Sequence, residues 1–175
     1  MAELHVIGQI ASASGFPSHN LFCKWGIHAG GGWRVIEGLT EGQTHVDNPS
    51  WQEAAVWCHP IDVHFATKGV QGWPKINLQI YHYDRFGRSE VYGYGFSFIP
   101  SSPGTHKVDV VTWRPIGSLT EQFKQHFLGG GAQLKSPDLV HSATDRYRLQ
   151  TETMGTVHLE LSVILRNFTK FGVET

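Results

Sequence analysis

Apolar and polar residues alternate with a period of two along most of this chain. Leu4, Val6, Gly8 and Ile10 alternate with His5, Ile7 and Gln9, which predicts a half-buried strand. Leu21, Cys23, Trp25 and Ile27 alternate in the same way with Phe22, Lys24, Gly26 and His28. Further strand candidates lie at residues 43–47 and 53–67, the second broken at Pro60, and at 75–83, 89–98 and 105–113. Turns are predicted at Asp84–Gly87 and Ser101–Gly104. In the cleanest strand, Val157, Leu159, Leu161, Val163 and Leu165 face one way and His158, Glu160, Ser162 and Arg166 the other, with Ile164 the exception. Many short strands without helices between them predict an all-β protein, an antiparallel β-sandwich of about eight strands.

One helix is expected to interrupt the pattern, over residues 118–128. Ser118-Leu119-Thr120-Glu121 is a capping box, Leu119, Phe123 and Phe127 form a narrow apolar stripe, and Gly129-Gly130-Gly131 can end the helix. Strands within 144–166 then complete the sandwich. A length of 175 residues suits one well-buried core, so residues 1–175 are read as a single domain.

Composition narrows the function classes. Charged residues are 17% and hydrophobic residues 40% of the chain, which argues against disorder. A net charge of −1 gives no global field for nucleic acid, so no nucleic-acid partner is expected. Cys23 and Cys58 cannot make a disulfide framework, and each sits in an apolar run, so both are expected to be buried thiols in a reducing compartment. The N-terminus does not read as a signal peptide, position 2 is Ala rather than the Gly that myristoylation needs, and the last residues are not a prenylation box. No apolar run reaches eighteen residues. The expectation is a soluble, cytoplasmic chain whose membrane contact would be weak and peripheral.

The chemistry concentrates in residues 72–95. A strand, an acid-started turn at Asp84-Arg85-Phe86-Gly87-Arg88 and a glycine-rich return strand through Gly93-Tyr94-Gly95 follow one another. That layout resembles the calcium-loop hairpin of a C2-type sandwich with most of its acids missing. Calcium needs several converging oxygen ligands. Here His82 stands where the first acid would be, Asp84 and Glu90 remain, and the preceding loop offers Asn20. Two carboxylates beside Arg85 and Arg88 are too few, so no metal or other cofactor is expected. Cys58, His59, Asp62 and His64 are the other potential ligands, but three same-face ligands on a strand span some 20 Å, too far for one zinc. The chain has no Gly-x-Ser-x-Gly and no phosphate loop, and Gly93-x-Gly95 leads into a strand rather than a helix. No catalytic residue is assigned.

Aromatic residues offer two further readings. Six tryptophans either fill a thick core or include exposed indoles that stack on sugars. Tyr92, Tyr94, Phe96 and Phe98 are expected on one face and Gly93, Gly95 and Ser97 on the other. The small face admits another backbone, either the Ser118 helix or a partner protein, or it merely marks a glycine bulge. Arg85, Phe86, Arg88 and Lys75, with Gly93 and Gly95, are the candidate interaction residues. Lys68, Lys75, Arg85 and Arg88 could touch lipid phosphates if their loops converge.

Gly72-Trp73-Pro74, Asp84-x-x-Gly87-Arg88, Gly93-Tyr94-Gly95, Pro100-x-x-Pro103-Gly104-x-His106 and Trp113-x-Pro115 occur in this order. Together they resemble the signature of the B9-domain family, over roughly residues 2–118. The resemblance implies a C2-like sandwich without enzymatic activity, in which the signature residues are structural. It implies a ciliary protein of the transition zone and basal body or centrosome. It would work in the Meckel (tectonic-like) complex and support ciliogenesis, the ciliary diffusion barrier and Hedgehog signalling. The implied partners are other B9-domain proteins, namely B9 domain-containing protein 1 and the Meckel syndrome type 1 protein.

Overall fold

The computed structural model describes residues 1–49, 54–116 and 150–169. The expected helix at 118–128, Trp51 and the first residues of the expected 144–166 strands lie outside them. Within the described residues the chain forms nine strands: β1 (Ala2–Ser14), β2 (Leu21–His28), β3 (Trp33–Gly38), β4 (Glu41–Gln43), β5 (Ala54–Thr67), β6 (Lys75–Tyr83), β7 (Ser89–Phe98), β8 (Gly104–Pro115) and β9 (Thr151–Arg166). They join antiparallel in the order β3-β5-β1-β9-β8-β7-β6-β2-β4. The link between β7 and β8 is a single pair, Tyr94 with Trp113. The sheet therefore folds on itself at that seam and encloses a core between its two halves. The fully buried Leu4, Val6, Ile10, Ile61 and Val63 come from one half, and Cys23, Ile76, Leu78 and Ile80 from the other.

The alternation places most strands correctly, and two irregularities displace it. In β5 the chain runs through Pro60 without a break, and Pro60 pairs with Gln9. The irregularity lies just before it, where the register with β1 shifts between Ile10 and Ser12 and Cys58 takes φ 44°. This bulge turns Cys58 outward, so Cys58 is exposed and only Cys23 is the buried thiol that was expected. In β7 the register with β6 shifts between Ile80 and Tyr81. Tyr92 is thereby turned to the core, Val91 takes the outer position beside Tyr94, and Phe96 packs with them. A one-residue bulge reverses the facing of everything beyond it, which a period-two reading cannot see. The edge strand β3 has no clear alternation and was not anticipated; all its residues after Trp33 are exposed.

The signature residues shape loops and seams. Gly72 has φ 73°, and a Cβ there would come within 2.5 Å of the Gly30 Cα, so two loops touch backbone to backbone. Trp73 donates its indole N–H to the Ile99 carbonyl at 2.8 Å, and the Pro74 carbonyl accepts from the Ile99 N–H at 3.0 Å. Gly87 holds a positive φ of 79° in the turn after β6, and Gly104 one of 120° as the first residue of β8. Trp113 lies at the seam, and Pro115 ends β8 opposite Thr151. Pro103 is an exposed residue of the turn before β8.

Gly93 and Gly95 lie on the inner face, in register with Ile80 and Leu78. A Cβ at Gly93 would meet Thr112 Oγ1 at 2.9 Å, and one at Gly95 would meet Val110 Cγ1 at 2.9 Å. The close approach that these glycines permit is therefore taken up by β8 of the same chain. Of the three readings of the small face, the Ser118 helix lies outside the described residues, and among the described residues the packing partner is β8.

Candidate functional site

The loops after β1, β4 and β6 meet at one end of the sandwich. Asn20 takes φ 59° at the entrance to β2, and its carbonyl accepts the Tyr83 N–H at 2.8 Å. Leu21 and Asp47 exchange backbone hydrogen bonds at 3.1 and 3.0 Å. These ties bring together a cavity of about 640 Å3 lined by Asn20, Asn48, His82, Asp84, Arg85 and Phe86, among others. Of the residues expected in a degenerate calcium site, Asn20, His82 and Asp84 reach it. Glu90 lies one strand over, opposite His82 in the β6–β7 ladder.

Asp84 is committed to its own turn. Its Oδ1 accepts the N–H groups of Phe86 and Arg88, both at 2.8 Å, and its Oδ2 accepts from Arg88 Nε at 2.7 Å. The Arg88 backbone N–H, foremost, and then the guanidinium and the Phe86 N–H hold the carboxyl below the usual carboxylate range. A cation would have to compete with three donors already in place. Among the described residues, no three His, Cys, Asp or Glu side chains converge as a metal site. Of the potential zinc set, His59, Asp62 and His64 line one groove, but each is engaged otherwise: His59 meets the Trp25 ring edge-on at 5.9 Å, Asp62 lies 2.8 Å from His5 Nε2, and His64 stacks on His5 at 5.0 Å, while Cys58 faces outward.

Phe86 is 83% exposed at the tip of this turn, with the Arg88 guanidinium 5.3 Å from its ring centroid. Lys75 is far away. It begins β6 whereas Arg85 follows its end, and nine residues of strand span roughly 30 Å. Lys68 follows Thr67, at the Lys75 end of the sandwich. The four cations thus do not converge as the lipid reading required. Lys75 instead lies over the Phe98 ring, 5.5 Å from its centroid.

The tryptophans are mostly interior. Trp25, Trp33, Trp57 and Trp113 are buried and Trp73 is half-buried, so these five present no exposed indole platform for a sugar. A second apolar cluster lies on the outer side of the seam, where Val91, Tyr94 and Trp113 are buried against Tyr81 and Phe96. Burial, and then Tyr94, push the Tyr81 hydroxyl above its usual pKa. The bulge at Tyr92 hid Val91 from the sequence pattern.

One arrangement has the order of a hydrolytic triad. Ser14 Oγ lies 2.8 Å from His158 Nε2, and His158 Nδ1 lies 2.7 Å from Asp109 Oδ1. Such groups act as a triad when the acid is buried and N–H donors are aimed beside the nucleophile. Here the Asp109 side chain is 70% exposed, and Ser14 is a ladder residue paired with Ala54 on one side and Thr156 on the other. The three groups are cross-strand partners on an open sheet face, like His5 with Asp62 and Gln9 with Glu160.

The model of the family described as "B9-C2: Ciliary basal body-associated, B9 protein" matches residues 4–164. The chain belongs to the B9-C2 family. It is 62% identical to B9 domain-containing protein 2 of Xenopus laevis over 175 residues, covering 100% of this chain and 99% of that protein. It is 34% identical to B9 domain-containing protein 1 of Mus musculus over 176 residues, covering 98% of this chain and 86% of that protein. Among solved structures, the C2A domain of plant Extended Synaptotagmin 1 aligns over 93% of each chain with a TM-score of 0.46 and 12% identity. The antiparallel β architecture expected from the sequence is present in the strand order itself, and the family is described as ciliary basal body-associated. Among the described residues, no helix is long and apolar enough to cross a membrane.

Proposed function

We propose that this chain is a single-domain, non-enzymatic assembly subunit of the ciliary transition-zone (tectonic-like, Meckel) complex. In that role it supports ciliogenesis, the ciliary diffusion barrier and Hedgehog signalling, close to the basal body. Its partners are the other B9-domain proteins, B9 domain-containing protein 1 and the Meckel syndrome type 1 protein. The observation that carries this reading is the turn at Asp84: the acid retained at the tip is consumed by Phe86 and Arg88, which leaves shape and surface as the working parts. Co-expression with the two B9-domain partners should yield a complex of fixed stoichiometry on size exclusion, unchanged by calcium chelation. Elution of the chain alone under those conditions would end this reading.

The exposed Phe86 between Arg85 and Arg88 favours a second reading, calcium-independent docking on phospholipid. An aromatic tip flanked by two cations supports only weak, salt-sensitive attachment, at about 1 kcal/mol per cation near an anionic surface. Sedimentation with phosphatidylserine vesicles separates the two. Binding abolished by Arg85→Glu with Arg88→Glu supports the lipid role, and complex formation insensitive to that change supports assembly.

A further inference from the structure

The tip cavity of about 640 Å3 is within the size range of ligand sites, and its walls are rich in hydrogen-bond donors. Ser18, His19 and Asn20 come from the loop before β2, Asn48 from the loop before β5, and His82 and Arg85 from the end of β6 and its turn. The side chains of His19, Asn20, Asn48, His82 and Arg85 make no hydrogen bond to a described residue. Ser18 Oγ accepts the Tyr92 hydroxyl at 3.1 Å, which leaves the serine's own proton to give. The His82 ring stacks on the Tyr92 ring at 4.9 Å, which fixes its plane.

The acids nearby are spent. Asp84 is the one acid in the lining among the described residues, and its carboxylate already takes the N–H groups of Phe86 and Arg88 and the Arg88 guanidinium. Asp47, beside Asn48, accepts the Val56 N–H on Oδ2 at 2.7 Å. What remains open is a guanidinium, two imidazoles, two carboxamides and a hydroxyl. All of these can donate, and an oxyanion is the group that accepts from several of them at once. A phosphomonoester does so best, with three acceptor oxygens and close to two charges at pH 7.

We propose that this cavity binds a phosphoserine-bearing segment of a partner protein. The phosphate sits against Arg85, His19, His82 and the Ser18 hydroxyl. Asn20 and Asn48, whose carboxamides both donate and accept, match the carbonyl and N–H groups of the flanking backbone. Serine keeps its phosphate close to its own backbone, so one cavity can meet both. A membrane is addressed by many cations at once. Here Arg85 is the only lysine or arginine in the lining among the described residues, Arg88 is held by Asp84, and Lys68 and Lys75 lie at the other end of the sandwich. That favours one recessed phosphate over a charged surface. The inference names a partner chemistry for the assembly role and rests on that reading. Its test uses no ciliary partner, so it can fail while co-purification succeeds, and the reverse.

The full chain, labelled with 15N, is titrated with a capped pentapeptide, glycine-alanine-phosphoserine-alanine-glycine, and followed by nuclear magnetic resonance. The backbone amide signals of Asn20, Arg85 and Phe86 should move and saturate, and those of the β8–β9 ladder should stay. Arg85→Gln with Asn48→Ala should weaken binding about fivefold or more, with the rest of the spectrum unchanged as the check on folding. Lys107→Gln, which removes the same charge in the middle of that ladder, should leave binding as it was. Equal binding of the unphosphorylated peptide, or no movement at millimolar phosphopeptide, overturns the proposal. Inorganic phosphate moving the same signals as strongly means an adventitious ion only and also overturns it. So does a chain that ignores the peptide and sediments with phosphatidylcholine vesicles carrying phosphatidylinositol 4-phosphate, which would assign the cavity to a membrane.

Discussion

Gly95→Ala tests how the two halves of the sandwich meet. A Cβ at this position would lie 2.9 Å from Val110 Cγ1, 3.2 Å from Thr112 Cγ2 and 3.6 Å from the Val111 carbonyl oxygen. Carbon atoms pack best at about 3.5–4.0 Å, so the first two contacts are too close by roughly 0.3–1 Å. Val110 and Thr112 are themselves buried, and as β-branched residues they cannot swing aside cheaply. Overpacking of this kind costs about 1–3 kcal/mol. The lower entropy of the unfolded alanine chain offsets about 0.4–1 kcal/mol of that, since Gly95 does not occupy positive φ. The expected net loss is about 1–2 kcal/mol, which for a domain of this size lowers Tm by about 2–8 °C. Thermal unfolding followed by circular dichroism reads the shift. Pairing Gly95→Ala with Val110→Ala should lose less than the sum of the two single losses, because removing the Val110 methyls relieves the clash. A Tm at or above that of the unmodified chain, or strictly additive losses, would refute the packing argument.

Three further outcomes follow from the same geometry. Because Asp84 has a lowered pKa in the fold, its stabilisation is present above the unfolded value, about 3.9, and is lost as pH falls through the folded one. Asp84→Asn should therefore lower Tm at pH 6, and the two Tm curves should converge at strongly acid pH; a constant gap down to pH 2 would refute it. His59 has a lowered pKa through burial and then His45, so the unfolded chain binds its proton more readily and stability should fall as pH drops below about 6.5. His59→Gln should flatten that part of the Tm profile. Burial pushes the Cys23 thiol far up while Cys58 is exposed. Iodoacetamide should accordingly label one cysteine in the native chain and two in denaturant, with peptide mass mapping placing the native label on Cys58.

Strand content, the antiparallel arrangement and most of the core were legible in the residues. Alternation sets which side chains share a face, and burial of one face follows wherever the pairing stays in register. Leu4, Val6 and Ile10, and Val157, Leu159, Leu161 and Val163, lie in the core as the pattern predicts. The turn at Asp84 was legible too, because an acid followed by Gly87 is a local instruction that needs no distant partner. Other decisions belong to the assembled sheet. Whether Tyr92 or Val91 faces out depends on a bulge opposite Ile80 and Tyr81, and whether Cys58 is buried depends on the register of β5 against β1. Gly93 and Gly95 receive β8 only because the sheet folds back at Tyr94 and Trp113. The separation of Lys75 from Arg85 by the length of β6, and the meeting of Asn20, Asn48 and Arg85 in one cavity, follow from strand order. Period and local turn chemistry act over a few residues and can be read one segment at a time. Register, bulges and edges are settled by which strand becomes whose neighbour, a choice that minimises the free energy of the whole sheet rather than of any one segment.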